Sequence, residues 1–327
     1  MNRTPLSVLD LSPVPSNGTA ADALANSLDL ARQAEAFGYR RYWVAEHHLA
    51  PGVAAAAPAV LVALIAARTN RIRVGSGAVL LGATTPLQAV EQFGTIAHLH
   101  PGRIGPGLGR SSARRLKQRL ARARSNPLPG SAIGPAAYSV VDGLLLPPPP
   151  HVRLDPGRLQ IEASLLGIRD ADGDDYVVQL CDIAAFLRGD YRSVDGTELH
   201  APTAEGADLA LWVLGSSAGP SARAAGELGL PYTANYHADP AAVLESVAAY
   251  REAFRPSSTL ATPYVMVSAD IVVADDDTVA AELASPYVRW VLSIRSGYGA
   301  MAFPSPAEAA PRIPSHLSDY LVIIWDK

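Results

Sequence analysis

Two adjacent histidines at the end of a short apolar segment are the residues of this chain best placed to do chemistry. Residues 42–45 are expected to form a strand, and Glu46, His47 and His48 follow it directly. In α/β proteins the chemistry sits at the carboxyl ends of strands. Neighbouring side chains on extended backbone point to opposite sides, so one imidazole can face a site while Glu46 holds the other in a chosen tautomer. A hydrogen-bonded pair with no chemical role explains the same residues equally well.

The histidines do not follow a common metal-binding pattern. A zinc-binding helix would carry two histidines at positions i and i+4 with a glutamate beside the first, and this spacing is absent. His98 and His100 fall at the end of a predicted helix instead. We therefore expect no metal site.

A second group of polar residues suggests that the protein binds a phosphate. Arg110 follows a predicted strand beside glycines, and its forked guanidinium can hold a phosphate group. Residues 215–221 follow another predicted strand and open a helix, where unpaired amides bind anions. The hydroxyl groups of this segment belong to Ser216, Ser217 and Ser221. A surface arginine and an ordinary serine N-cap are the alternatives, but the two segments together favour a phosphate site.

The predicted third strand carries glycines where most strands carry bulky residues. Gly75 and Gly77 precede Ala78 in this strand. Glycines inside a strand often mark a bulge or a place where a ligand approaches the backbone closely. A flat ring system is one ligand that such a backbone suits.

The surrounding elements alternate as in a parallel barrel. Eight strands are expected at residues 6–11, 42–45, 72–81, 103–109, 209–214, 232–236, 265–273 and 320–325. Helices are expected at residues 20–37, 58–68, 86–99, 175–188, 220–228, 240–254 and 276–294. Prolines and glycines in residues 111–170 predict an irregular insertion or lid after the fourth strand. We therefore expect a single (β/α)8 TIM-type barrel domain over residues 1–327, with a shortened C-terminus.

The composition limits the partners and the cellular location that we expect for the protein. The net charge of −4 disfavours nucleic-acid binding, and the seven basic residues of the segment 110–124 are better explained as a solvated helix face. No apolar run approaches the ~20 residues of a membrane span, and the start of the chain lacks a signal-peptide pattern. The single cysteine, Cys181, excludes an internal disulfide. We expect a cytoplasmic protein with neither a nucleic-acid nor a membrane partner.

Together these segments resemble the luciferase-like flavin-dependent monooxygenase family. The resemblance covers about residues 5–110 and 205–295, and its motifs occur in the order of the family. The matching segments are residues 38–48, 71–77, 86–94, 100–104, 107–110, 215–217 and 227–231. Residues 111–170 do not match the family in detail, and the last predicted strand lacks the helix that usually follows it.

The resemblance implies a barrel enzyme, usually dimeric, that uses FMN. In the family, reduced FMN typically comes from a separate NAD(P)H:flavin reductase and reacts with O2 to give a flavin C4a-hydroperoxide that oxygenates a substrate. By the same resemblance His47 matches the active-site histidine near the reacting flavin edge. Arg110 with Ser216 and Ser217 matches the flavin-phosphate region. Gly77-Ala78 matches the backbone near the isoalloxazine ring, at a peptide bond that is often cis in the family.

We therefore expect an FMN-dependent monooxygenase that acts on a small apolar or aromatic molecule, with secondary-metabolite tailoring as a consistent setting. His47 is expected to face the flavin, while Glu46 and His48 hold the surrounding structure. Three alternatives stay open: a deazaflavin (F420)-dependent oxidoreductase, a flavin-binding protein without catalysis, and a phosphate-binding barrel hydrolase or isomerase. The last of these leaves the glycine-bearing strand without a reason.

Overall fold

Seven parallel strands form the centre of the structure, a computed structural model that describes residues 4–110, 139–147, 155–168 and 176–309. In chain order the strands are β1 (Ser7–Asp10), β2 (Arg41–Val44), β3 (Arg73–Leu81), β4 (Ile104–Arg110), β5 (Ser139–Val141), β6 (Leu144–Leu146), β7 (Trp212–Gly215), β8 (Tyr232–Asn235) and β9 (Val265–Ser268). All but β5 and β6 belong to the parallel sheet, in the order β1-β2-β3-β4-β7-β8-β9. The sheet curves into a nearly closed barrel with helices outside, so the predicted TIM-type fold is confirmed. The predicted eighth strand, residues 320–325, lies outside the described residues.

Seven of the nine helices in the described residues lie where the sequence predicts them, with small differences at their ends, and the fourth and the ninth were not predicted. The helices are α1 (Ala20–Ala36), α2 (Pro58–Ala66), α3 (Pro86–Leu99), α4 (Pro156–Leu165), α5 (Tyr176–Arg188), α6 (Pro220–Glu227), α7 (Val243–Ala253), α8 (Asp277–Ser293) and α9 (Pro306–Ala309). A reciprocal capping box between Thr19 and Asp22 begins α1. Gly38, with φ at +81°, ends it in the left-handed conformation that glycine adopts without steric cost. A π-helical turn (Ile294–Tyr298) follows α8.

Large side chains fill the interior of the barrel. The buried cluster consists of Trp43, Trp212 and Leu214, against which Leu9, Ala78 and Met266 pack. The rings of Trp43 and Trp212 meet edge to face, with their centroids 5.3 Å apart. Arg41, at the start of β2, lies over Trp212 with its guanidinium carbon 4.8 Å from the ring centroid. The interior is therefore a packed core at its amino end.

Glycines on β3 and β4 make room for these side chains. A Cβ atom at Gly75 would lie 1.8 Å from a backbone oxygen of β4 and 2.9 Å from Trp43 Nε1. A Cβ atom at Gly107 would lie 2.3 Å from the Ser76 carbonyl oxygen and 2.4 Å from Leu214 Cδ1. Strands β3 and β4 come this close to each other, to Trp43 and to Leu214 only because these residues lack side chains.

The segment between β4 and α5 contains a helix that the sequence pattern did not predict. In the described part of residues 111–170, β5 and β6 form an antiparallel hairpin, and α4 follows. The expectation of an irregular insertion is therefore wrong for α4. Asp155 caps this helix by accepting a hydrogen bond from Arg158 N at 3.0 Å, and Leu159 and Ala163 are its buried residues. Two buried positions make a short apolar stripe, so the surrounding prolines dominate the sequence signal.

The insertion is attached to the carboxyl end of the barrel at two places. Just after β8, the Tyr236 hydroxyl donates a hydrogen bond to the Leu145 carbonyl oxygen at 2.6 Å. On the other side, Arg158 Nη2 of α4 donates to the Leu49 carbonyl oxygen at 2.7 Å. The described part of the insertion therefore borders the mouth of the barrel on two sides.

Two strands depart from their predicted bounds by three residues or more. The strand expected at residues 209–214 begins at Trp212. Before it, Leu209 makes an isolated bridge to Ile104. The strand expected at residues 265–273 ends at Ser268. The apolar residues beyond it are exposed, Val273 at 84%. Local apolar character favours strand at such positions, but a strand persists only while a neighbouring strand pairs with it.

Helix α2 is apolar on its outer face as well as on its inner face. Val62 and Ile65 are fully buried, whereas Val60 and Leu64 are 60% and 47% exposed. The outer face of α2 is therefore an apolar surface patch on the wall of the barrel.

Within the described ranges, no helix has the length and apolar character needed to cross a membrane.

Replacing Gly107 with alanine tests the packing of the barrel interior. We expect Gly107→Ala to lower the free energy of unfolding by about 1–3 kcal/mol, because the new methyl group overlaps a backbone oxygen that cannot move away. Gly157→Ala is the matched control, since its Cβ would meet only the Asp155 side chain at 3.4 Å. Urea denaturation measures both variants, and equal losses would contradict the packing argument.

Candidate active site

The carboxyl ends of the strands bring the predicted functional residues to one edge of the barrel. On β2 the inward-facing Trp43 is followed at a spacing of two by Ala45 and His47. On β7 the same spacing carries the inner face from Trp212 to Ser216. The tryptophan pair thus forms a floor, and the side chains beyond it line the mouth of the barrel.

The Gly77-Ala78 segment presents backbone to this interior. The peptide bond between the two residues is cis, in agreement with the family resemblance. The register between β3 and β4 shifts between Gly77 and Val79. A Cβ atom at Gly77 would lie 2.8 Å from Leu9 Cδ1 and 3.1 Å from the Trp43 ring. Leu9 and Trp43 therefore occupy the space that a side chain at position 77 would need. Gly77 and Ala78 are both half-buried, which leaves part of their backbone open to a planar ligand.

Glu46 is buried and joins the end of β2 to β3. Its Oε1 lies 2.8 Å from His48 Nε2, and its Oε2 accepts a hydrogen bond from Leu80 N at 2.8 Å. Only 8% of the residue is exposed. Both carboxylate oxygens therefore have partners, and Glu46 with His48 supports the loop, which is the role expected of them.

His47 points away from that pair, toward the mouth. Its backbone N–H donates a hydrogen bond to the Ala55 carbonyl oxygen at 2.8 Å. The residue is exposed by surface area, yet burial is the main cause that lowers its pKa. The ring lies on a concave wall, where protein surrounds it on most sides while solvent still reaches part of it. His237 and His48 lower the pKa further, so His47 is neutral at neutral pH and can accept a proton.

A third histidine, His237, belongs to the same mouth and was missed by the sequence analysis. It follows β8 directly after Tyr236, and its Nδ1 lies 2.6 Å from Ser268 Oγ. The signal was available, because a titratable residue directly after a predicted strand had singled out His47. The sequence could not show that β2 and β8 end on facing walls, because this depends on strand order.

Arg110 and the serine segment end neighbouring parallel strands. The pairing of Leu108 with Val213 aligns β4 with β7, so Arg110 and Ser216 emerge at the same edge of the sheet. Tyr176 lies beside them, and its hydroxyl donates a hydrogen bond to the Leu108 carbonyl oxygen at 2.8 Å. Burial raises the pKa of Tyr176, and the charge of Arg110 opposes that rise. Arg110 therefore lies close to the buried wall of the site.

The first turn of α6 offers backbone donors to an anion. The residue before the helix is Gly219, and no side chain caps the amides of this turn among the described residues. Ser217 is exposed and Ser221 is half-buried in the turn itself. The ordinary serine N-cap considered for this segment is therefore not formed, and these N–H groups are positioned for an anionic ligand.

Comparison with known proteins agrees with this geometry. A family model described as luciferase-like monooxygenase matches residues 4–127 and 185–316. The chain belongs to the luciferase-like monooxygenase family. Protein YvbT of Bacillus subtilis (strain 168) is 38% identical over 296 residues, which cover 90% of this chain and 74% of YvbT. A luciferase-like monooxygenase of Escherichia coli (strain K12) is 35% identical over 294 residues, which cover 89% and 73%. The crystal structure of apo-MsnO8 is 30% identical, with a TM-score of 0.73, and covers 97% of this chain and 82% of its own.

The family match defines the class of enzyme and the part of the chain that the family shares. The protein is an oxidoreductase of the luciferase-like monooxygenase family. The family match leaves out residues 128–184, which include β5, β6 and α4. The predicted site residues all lie inside the matched ranges; they are His47, Gly77, Ala78, Arg110, Ser216, Ser217 and Ser221. The hairpin and α4 at the mouth therefore lie outside the part of the chain that the family model matches.

Removing the Glu46 carboxylate tests its role in supporting the loop. We expect Glu46→Ala to lower the free energy of unfolding by about 1–3 kcal/mol, because the Leu80 N–H loses its acceptor inside the protein. Glu46→Gln keeps an acceptor oxygen, so its loss should be smaller. Glu252→Ala, on the exposed face of α7, is the control. Thermal or urea unfolding measures all three, and an unaffected Glu46→Ala variant would contradict this role.

Proposed function

We propose that this luciferase-like monooxygenase uses reduced FMN and O2 to oxygenate a small organic substrate in the mouth of its barrel. The observation that carries the proposal is the position of His47, a neutral imidazole on the same inner wall as the half-buried backbone of Gly77-Ala78. That arrangement offers a planar ring a surface to lie on and a proton acceptor near it. The apolar floor of Trp43 and Trp212 favours an apolar or aromatic substrate, and secondary-metabolite tailoring is the setting we propose.

The residues at the strand ends fit the two ends of an FMN molecule. Arg110, the α6 amides and the nearby hydroxyl groups would hold the phosphate, since all of them are hydrogen-bond donors at one edge of the sheet. The hydroxyl groups are those of Ser216, Ser217 and Ser221. The Gly77-Ala78 backbone would lie against the isoalloxazine ring. When bound, reduced FMN supplies the electrons that O2 reduction requires.

The chain's own contribution would be proton handling and exclusion of water. At neutral pH one ring nitrogen of His47 carries no proton, so it can take one from a reacting group and return it. The hairpin and α4 border the mouth through Tyr236 and Arg158 and would limit the entry of water. The tryptophan floor keeps the inner end of the pocket apolar.

We further propose two protein partners and a location. A second copy of this chain would cover the apolar patch on α2, because Val60 and Leu64 would otherwise stay in water. A separate NAD(P)H:flavin reductase would supply the reduced FMN, as the family resemblance implies. The single cysteine is consistent with a cytoplasmic protein.

The phosphate contact can be tested by comparing FMN with riboflavin, which lacks the phosphate. We expect Arg110→Ala to weaken FMN binding about tenfold to a hundredfold, which corresponds to the loss of a charged hydrogen bond. Riboflavin binding should not change. Arg251→Ala, on the exposed face of α7, should bind both compounds like the parent protein. Fluorescence titration gives the affinities, and an equal loss for FMN and riboflavin would contradict the assignment of Arg110 to the phosphate.

The reaction itself is tested by supplying isotopically labelled O2 together with either reduced FMN or reduced F420. We expect labelled oxygen to enter members of a panel of small aromatic and aliphatic compounds only with reduced FMN, as measured by mass spectrometry. His47→Gln should lower the rate by about 10²–10⁴-fold while flavin binding is retained. Turnover with F420 alone would instead identify a deazaflavin-dependent oxidoreductase. FMN binding without turnover of any compound would indicate a flavin-binding protein.

A further inference from the structure

The inner face of β8 carries a strip of polar side chains. Thr233, Asn235 and His237 recur at a spacing of two, like Trp43, Ala45 and His47 on β2. Thr233 is 3% exposed, and its Oγ1 has no hydrogen-bond partner in the described part of the chain. The buried Oδ1 of Asn235 lacks one as well. Because an unpaired buried polar atom costs about 1–3 kcal/mol, this wall is suited to meet a polar ligand.

His237 is fixed in one orientation by β9. Its Nδ1 lies 2.6 Å from Ser268 Oγ, and its backbone N–H donates a hydrogen bond to the Ser268 carbonyl oxygen at 3.2 Å. The pairing of Asn235 with Ser268 brings the two strand ends to the same level. Since Nδ1 is occupied, Nε2 on the other side of the ring points away from β9. Among the described residues it makes no hydrogen bond.

Strand order places His237 opposite His47. In the sequence of neighbours β2-β3-β4-β7-β8, β8 lies four positions from β2. Four positions are half of the circumference of a barrel with eight strand positions. The two imidazoles therefore extend from facing walls into one mouth. They are near enough that the charge of His237 is, after burial, the strongest influence that lowers the pKa of His47.

The charged and titratable groups around the two rings differ between the walls. The groups on these walls and on the elements packed against them are Glu46, His48, Asp270, Tyr287 and Arg295. Burial lowers the pKa of His237, and the Asp270 carboxylate partly offsets this effect. Tyr287 hydrogen-bonds to the same carboxylate, and burial is the main cause that raises its own pKa. His48 is on the side of His47 and lowers the pKa of that ring further.

We propose that His237 is a positioning residue of this site, which takes the first proton that enters the mouth and thereby keeps His47 neutral. The carboxylate of Asp270 then faces the imidazolium of His237 as its counter-ion, and Ser268 keeps the ring in place. A second proton on His47 would put two positive charges on facing walls, which is unfavourable in a partly desolvated pocket. The benefit to oxygenation rests on the proposed function, whereas the order of protonation does not.

Histidine titration by NMR in the flavin-free protein tests the order of protonation. We expect His237 to take up its proton at higher pH than His47. In His237→Gln the midpoint of His47 should move upward, because the neighbouring positive charge is gone. His98→Gln, at an exposed helix position, should leave the His47 midpoint unchanged. The proposal is overturned if His47 titrates first, or if its midpoint is the same in folded His237→Gln.

Asp270→Asn is a second variant that keeps both imidazoles. Asp270 is exposed, so this substitution should leave the fold intact. We expect the His237 midpoint to fall toward that of His47, since the counter-ion is lost. Unchanged midpoints in this variant would also overturn the proposal.

The pH dependence of oxygenation separates this inference from the proposed function. If the protein oxygenates substrates with reduced FMN, His237→Gln should lose activity at a higher pH than the parent, because His47 becomes protonated sooner. A merely structural role for His237 would lower the rate without moving this pH limit, and that result would count against the proposal. If no oxygenation is found, the NMR titration of the flavin-free protein still decides the order of protonation.

Discussion

The interior of the barrel is shaped by how closely β3 and β4 approach the tryptophans that fill it. Gly75 leaves room for the Trp43 ring, and Gly107 leaves room for Leu214, which packs in the same cluster as Trp43 and Trp212. A methyl group at either glycine would meet backbone atoms, which cannot rotate away. The height of the tryptophan floor, and with it the depth of the mouth, follows from this constraint. His47, Arg110 and Ser216 lie beyond the floor, at the carboxyl ends of their strands, whereas Gly77 and Ala78 lie within β3 beside the floor.

The walls of the mouth have different electrostatic character because different partners stand behind them. Both carboxylate oxygens of Glu46 already have partners, one in His48 and one in the Leu80 N–H. Glu46 therefore supports the loop and does not pair with a group in the mouth. Burial favours the neutral form of His47, and the neighbouring His237 and His48 lower its pKa further. On the facing wall Asp270 favours the charged form of His237. The surroundings thus favour the neutral form of the histidine on one wall and the charged form of the histidine on the other.

The predictions that succeeded depend on signals contained in a few neighbouring residues. Apolar residues at helical spacing marked α1, and apolar runs bounded by turns marked β1 to β4. The errors fell where local sequence and long-range pairing disagree. Residues 269–273 are apolar enough for a strand but lie beyond the end of β9. Helix α4 has only two buried positions, so its amphipathic signal was weaker than that of the prolines around it.

The prediction of the site also succeeded for local features and failed for long-range ones. The sequence by itself determined the chemistry available: imidazoles, an arginine beside glycines, and serines ahead of a helix, each at the end of a strand. It also determined the family, because several motifs recur in one order over most of the chain. Only the tertiary structure decided which of these groups face each other. The order of the strands around the barrel sets His237 against His47, and the β4–β7 pairing brings Arg110 to the edge that carries Ser216. The physical reason is that side-chain identity is local, whereas the distance between strand ends depends on how the whole sheet closes.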